Sequence, residues 1–302
     1  MRVLFATVFI SAVVFAGALT GAMAASGRVS FDVNGHKRVA TILERARLKR
    51  APRPLIIVLR AAGSAPRRLG LSRVDRFLGL DEAAGAATVL AFPSSGGARW
   101  DLDAGKTDDV AMVRALAARM IADGIADRRK IYLAGVSSGG LLALRVLCDG
   151  ADYLAGAAVL LANMPASLAK SCKPARPAAF LLLNGTLDPL MPYQGGEAKL
   201  VDFKGEVAGT DATLAPFALA AECGKARPAE ALPDKNPNDG TRVFVERSSG
   251  CKAPVELFRI EGGGHALPGW PVRADRGEIV GARNNDIDTA RILIDFFRRA
   301  AR

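Results

Sequence analysis

The chain has 302 residues, half of them apolar and 24% charged, and carries a net charge of +11 from 41 Lys and Arg against 30 Asp and Glu. That composition describes a globular chain of one or two domains with ample length for a large core, and it excludes an intrinsically disordered polymer. Aromatic residues make up only 6% and do not interleave with the basic runs Arg45–Arg50 and Arg128–Lys130, so no nucleic-acid stacking platform is expected. The excess positive charge reads as a solvated surface with some pull toward anionic envelopes or acidic substrates.

Taken in chain order, the first segment is a targeting signal. Arg2 precedes the apolar run Val3–Leu19, and Ala22-Met23-Ala24 supplies the small residues of a cleavage site, so residues 1–24 read as a secretory signal peptide with the mature chain starting near Ala25. The alternative, an uncleaved anchor, is disfavoured because the run falls short of a comfortable span and ends in Gly and Ala. No later stretch is long and apolar enough to cross a bilayer. The expected location is therefore secreted or periplasmic.

Alternating runs at Val29–Val33 and Arg38–Leu43 flank Asn34-Gly35, the strongest short signal for a hairpin. Pro54–Leu59 reads as a fully buried strand, the stretch near Leu71–Gly85 as helical or mixed, and Ala87–Pro93 as the next strand. Thr107 is placed to cap a helix, with Asp108 and Asp109 at the positive end of its dipole. Val110, Val113, Leu116, Ala117, Met120 and Ile121 then recur at helical spacing up to Gly124. Strands follow at Lys130–Val136, Ala157–Leu161, Ala179–Leu183 and Val255–Ile260, and Ile287–Phe297 is a closing helix. Buried strands alternating with helices predict an α/β fold, a mainly parallel sheet covered on both faces. Residues 25–302 are expected to form one domain. The stretch 204–250, with Pro228, Pro233 and Pro237 among many polar residues, is expected as an insertion covering the site.

The four cysteines, Cys148, Cys172, Cys223 and Cys251, form no C-x-x-C pair, which argues against a zinc site. An even count in an exported chain points to two disulfides. Three connectivities are open, of which pairing neighbours in order closes the shortest loops. Each loop contributes on the order of 3 kcal/mol in the chain-entropy account.

The chemistry concentrates at Gly135-Val136-Ser137-Ser138-Gly139, where a buried strand turns sharply into the helix-like segment Leu141–Cys148. Gly-x-Ser-x-Gly between strand and helix is the nucleophile elbow: small flanking residues let strand and helix pass closely and push the Ser137 hydroxyl out of the sheet edge. The first N–H of the following helix, that of Ser138, then points at a reacting carbonyl oxygen. Of the two histidines, His36 sits in the first hairpin, far from any strand end where a site would form. His265 follows the last strand in Gly262-Gly263-Gly264-His265, where a glycine-rich loop hangs an imidazole over the C-terminal edge of the sheet. A carboxylate is expected after a late strand, between serine and histidine in sequence. Asp188, after Ala179–Leu183, meets that condition, whereas the rivals Asp202 and Asp211 follow no buried strand. Two histidines also argue against a metallohydrolase, and no cofactor is expected.

Several of these motifs together resemble the secreted polyhydroxybutyrate depolymerase/feruloyl esterase-type group of α/β-hydrolases. The resemblance runs from about Val39 to Gly269. Its carriers are Pro54–Gly63, Asp108-Asp109-Val110, Gly135–Gly140, Asn184–Pro189 followed by Pro192-Tyr193, and Gly262–His265 followed by Pro268-Gly269. It implies Ser137 as nucleophile, Asp188 as acid, His265 as base, and the disulfides Cys148–Cys172 and Cys223–Cys251. The implied activity is hydrolysis of carboxylic esters, either hydroxyalkanoate oligomers or acyl and feruloyl-type esters, through an acyl-enzyme.

The chain departs from the group's pattern at three positions. His-Gly-Gly after the third strand is Arg60-Ala61-Ala62, so the second oxyanion donor falls to the Ala62 N–H. His-Gly-Thr before the acid is Asn184-Gly185-Thr186, and the aromatic two positions after the histidine is Leu267. These departures motivate an alternative reading as a catalytically weakened, hydrolase-fold binding protein of the cell envelope.

Overall fold

The structure, a computed structural model, describes residues 25–44, 52–61, 79–97, 99–102, 108–269 and 277–301. The proposed signal segment 1–24, the basic run 45–50, the helix cap at Thr107 and the oxyanion donor at Ala62 lie outside those residues.

The fold opens with β1 (Ala25–Val33) and β2 (His36–Glu44), an antiparallel hairpin whose turn residues Asn34 and Gly35 have φ of 51° and 82°. Two successive positive φ values are what a tight hairpin turn demands, and Asn-Gly tolerates them at little cost. There follow β3 (Arg53–Leu59), α1 (Leu80–Ala84), β4 (Val89–Pro93), α2 (Asp108–Ala122), β5 (Ala126–Val136), α3 (Ser138–Cys148), β6 (Gly156–Leu160), α4 (Ala166–Ala169) and β7 (Ala179–Gly185). The second half adds β8 (Gly196–Lys199), β9 (Lys204–Val207), α5 (Thr210–Ala220), β10 (Glu230–Ala231), β11 (Arg242–Arg247), β12 (Val255–Glu261), α6 (Gly277–Val280) and α7 (Thr289–Ala300).

Ten strands form one sheet in the order β1-β2-β4-β3-β5-β6-β7-β12-β11-β10, and β8 and β9 form a separate ribbon. The six central strands, β4 through β12, run parallel, with antiparallel pairs at both edges. The central strands are apolar runs because both faces are covered. Leu55, Ile57 and Leu59 of β3 face the α2–α3 side, while Ile56 and Val58 face the α7 side. Helix α7 turns Ala290, Leu293, Ile294 and Phe297 inward, and Asp288 caps it by accepting the Arg291 N–H. The mainly parallel sheet expected from the sequence is thus present.

Two elements differ from expectation. Strand β5 starts at Ala126, four residues early, so that Arg128 and Arg129 lie within it as exposed residues at its solvent end. The segment 204–250, expected as an insertion, carries β9, α5, β10 and β11, and β11 pairs with β12 as an integral strand of the main sheet. Its inward residues Val243 and Val245 alternate with Arg242, Phe244 and Glu246, the pattern of a strand near the sheet edge with one buried face. Disulfides join Cys148 to Cys172 and Cys223 to Cys251. The first ties the end of α3 to the loop after α4; the second ties the end of α5 to the loop before β12. Among the described residues no helix is long and apolar enough to cross a membrane.

Candidate active site

The C-terminal ends of β5, β7 and β12 lie at one edge of the sheet, and each leads into one of the residues Ser137, Asp188 and His265. Strand β5 ends at Val136, and Ser137 adopts φ 54°, ψ −122°, a region that costs a non-glycine residue on the order of 1–3 kcal/mol. The surroundings hold it there. The Ser137 N–H donates to the Leu160 carbonyl at 2.9 Å, and the Ser137 carbonyl accepts the N–H groups of Gly140 and Leu141 at 2.7 and 3.1 Å. The spacing of the elbow is steric: a Cβ on Gly139 would fall on the Leu59 carbonyl of the neighbouring strand. Ser138 is buried as the first residue of α3.

The acid arrives on the turn after β7. A Cβ on Gly185 would overlap the Gly263 carbonyl, so glycine is required where this turn packs against the loop after β12. Thr186 N–H donates to the Ile260 carbonyl and Leu187 N–H to the Gly263 carbonyl, both at 2.9 Å, while the Thr186 hydroxyl accepts the Gly262 N–H at 3.0 Å. Asp188 is buried at the end of this turn. Its Oδ1 accepts the N–H groups of Leu190 and Met191, each at 2.8 Å, which fixes the carboxylate plane.

The loop after β12 is stapled from the far side: Gly264 N–H donates to the Ala282 carbonyl and His265 N–H to the Val280 carbonyl. So held, the imidazole bridges the other two groups. Its Nδ1 lies 2.7 Å from Asp188 Oδ2 and its Nε2 lies 2.8 Å from Ser137 Oγ. With the Nδ1 proton donated to the carboxylate, Nε2 carries the lone pair that can accept the serine proton. The structure therefore brings Ser137, Asp188 and His265 into one hydrogen-bonded line. Asp202 and Asp211 make no bond to His265, Asp211 standing exposed in the first turn of α5, and His36 is exposed in the hairpin.

The three positions that depart from the resemblance have distinct surroundings. Asn184 is buried, and its amide holds the end of β6: Oδ1 accepts the Ala162 N–H at 3.1 Å, and Nδ2 donates to Asn163 Oδ1 at 2.9 Å and Thr210 Oγ1 at 3.1 Å. Asn163 passes the connection on to the Pro192 carbonyl at 2.9 Å, just beyond the acid turn. Leu267 packs into the core on the α7 side. Arg60, the first residue past β3, is only 5% exposed, its carbonyl accepts the Trp100 indole N–H at 2.7 Å, and burial lowers the pKa of its guanidinium. Sequence reasoning passed over Asn163, Thr210 and Trp100. The available signal was a polar Asn163 directly after the apolar run of β6.

No protein-family model matches the chain. It is 29% identical over 263 residues to a protein of Nocardia uniformis subsp. tsuyamanensis named as an esterase, NocK, a match covering 81% of this chain and 74% of that protein. It is 30% identical over 164 residues to feruloyl esterase B of Piromyces equi, covering 53% of this chain and 29% of the length of that relative. Among solved structures, a dienelactone hydrolase-like promiscuous phosphotriesterase from metagenomic libraries superposes with a TM-score of 0.56 over 92% of this chain and 98% of that one, at 14% identity. That last likeness is one of fold.

Proposed function

We propose that this chain is an exported serine esterase of the feruloyl esterase-type α/β-hydrolases, acting through a Ser137–His265–Asp188 triad. The observation that carries this reading is the unbroken line from Asp188 Oδ2 through His265 to Ser137 Oγ at 2.7 and 2.8 Å. Ser137 Oγ attacks the ester carbonyl as His265 Nε2 takes its proton, and Asp188 holds the Nδ1–H tautomer and balances the imidazolium that forms. The tetrahedral oxyanion is met by the Ser138 N–H at the start of α3 and by the Ala62 N–H. His265 returns the proton to the leaving alcohol, and water then releases the acid by the same steps in reverse order. The substrates are carboxylic esters, hydroxyalkanoate oligomers or acyl and feruloyl-type esters. Export is supported by the two disulfides and by the charged, then apolar, then small-residue pattern of residues 1–24.

The test is labelling with a fluorophosphonate followed by peptide mapping, together with hydrolysis of short p-nitrophenyl esters. Stoichiometric label on Ser137 and a fall of about 10⁴-fold or more in kcat/KM for Ser137→Ala are expected. Full activity in Ser137→Ala would overturn the reading.

A further inference from the structure

Two cationic side chains are buried among the described residues, Arg38 and Arg60. Arg38 pairs with Asp109, as the half-buried Arg53 does with Glu44, Arg145 with Asp149 and Arg259 with Glu246 and Glu261. The Arg60 guanidinium has no hydrogen bond and no ion pair among the described residues, although the residue is 5% exposed. Arginine does not escape this cost by losing its proton, because its ordinary pKa lies far above neutrality. A desolvated, unneutralised guanidinium is among the least favourable things a core can hold, and a methionine or leucine would pack the same space without it.

Its location gives the charge a purpose. Arg60 follows β3 directly, at the sheet edge where the triad assembles, and its carbonyl lies 2.7 Å from where a Cβ on Gly139 would sit, two residues past Ser137. The Trp100 indole fixes that carbonyl, so the base of the side chain is pinned beside the elbow.

We propose that Arg60 is an anion-recognising residue of this site and that the preferred ester carries a carboxylate close to the scissile bond. A carboxylate matches the planar donor fork of a guanidinium, and binding one converts the buried cation from a liability into an ion pair that excludes water. The chain's net charge of +11 favours the approach of such a substrate. The inference rests on the esterase reading, since it names the substrate class of the same site.

Two matched substrate pairs test it and separate the two sides of the ester. On the acyl side, 4-nitrophenyl hydrogen glutarate is compared with 4-nitrophenyl pentanoate; on the alcohol side, 3-butyryloxybutyrate is compared with its amide. Wild type is expected to prefer the anion by tenfold or more in kcat/KM in at least one pair, with a preference that weakens as salt is raised. The anion-to-neutral ratio should fall tenfold or more in Arg60→Gln and be largely retained in Arg60→Lys. In Ser137→Ala, calorimetry should detect binding of the 3-butyryloxybutyrate ion or the monoanionic glutarate ester and none of its neutral partner. Arg60→Met should melt at the same temperature as wild type or higher, because it removes an uncompensated charge; a clear drop in Tm would instead mark Arg60 as a structural residue and overturn the proposal. Equal ratios in wild type and Arg60→Gln for both pairs would also overturn it. If Ser137 still takes the fluorophosphonate label in that case, the esterase reading stands without this specificity; if Ser137 does not label, both fall.

Discussion

The Trp100 indole N–H donates to the Arg60 carbonyl at 2.7 Å, and the two residues join the loop after β4 to the turn after β3. The bond is one end of a buried chain. The N–H of the next residue, Asp101, donates to Asp109 Oδ2 at 2.8 Å, and Asp109 Oδ1 accepts from Arg38 Nη2 at 2.8 Å. Residues from β2, the two loops and α2 thereby hold one peptide plane. A trans peptide is planar, so fixing the Arg60 carbonyl fixes the direction of the Ala61 N–H, immediately before the proposed donor Ala62 in sequence. Trp100→Phe keeps the ring and removes only the donor. We expect kcat to fall about tenfold with KM changed less than about threefold, the signature of a misaimed oxyanion donor. Steady-state kinetics on a short ester decides it; an unchanged kcat would leave Trp100 with a packing role alone.

The far end of that chain makes a stability prediction. Arg38 and Asp109 are 9% and 2% exposed at the side chain, so their charges face each other out of water. Removing one partner strands the other. Asp109→Ala and Arg38→Met should each cost about 3–5 kcal/mol, and the double variant less than the sum of the two, because it leaves no buried charge behind. Urea unfolding of the four proteins closes the cycle, and strict additivity would show that the two residues act separately.

Much of this was legible in the residues because it depended on local rules. The Asn34-Gly35 hairpin needs two positive φ values, the elbow needs glycines where strand meets helix, and a glycine-rich loop after the last strand marks where His265 can hang over the sheet. What escaped was set by contacts between distant segments. Nothing within four residues of Asn163 says that its amide will meet Asn184 and Pro192, and Trp100 is an ordinary loop aromatic until β3 is placed beside it. The stretch 204–250 misled for another reason. Its prolines and polar residues dominate the composition, while Val243 and Val245 supply only two inward positions, too few for a period-2 pattern to stand out.

The buried amide cluster predicts coupling between fold and site. Asn184 ties the end of β7 to the end of β6 and to Thr210 at the start of α5, and Asn163 reaches the loop after Asp188. Asn184→Ala leaves the buried Ala162 N–H without its acceptor and removes one of the two donors to Asn163 Oδ1, the Thr210 hydroxyl remaining. A loss of about 2–4 kcal/mol in stability is expected, with kcat reduced as the acid turn loosens. Denaturant midpoints and ester kinetics measured on the same preparation check both halves; a stable variant with wild-type kcat would show that the cluster is dispensable.

All three tyrosines are pushed above their ordinary pKa of 10, for one shared reason. Burial raises Tyr132, with Asp127 adding to it. Burial raises Tyr153 further, against the pull of Arg114, which lies 4.5 Å over its ring. Burial also takes Tyr193 to about 12, with Asp211 adding to it. The Tyr132 and Tyr153 hydroxyls are buried without a hydrogen-bond partner among the described residues, so a phenolate there would have nothing to stabilise it. The sign of the linkage follows: above about pH 10 the unfolded chain releases phenolic protons that the native state keeps, so stability is lost as pH rises from about 10 toward 12. Absorbance at 295 nm should therefore show no tyrosinate step near pH 10 in the native protein, and should rise together with the loss of far-ultraviolet circular dichroism. In guanidinium all three should titrate at about 10. A tyrosine that ionises reversibly near pH 10 while the circular dichroism stays native would contradict the burial of that side chain.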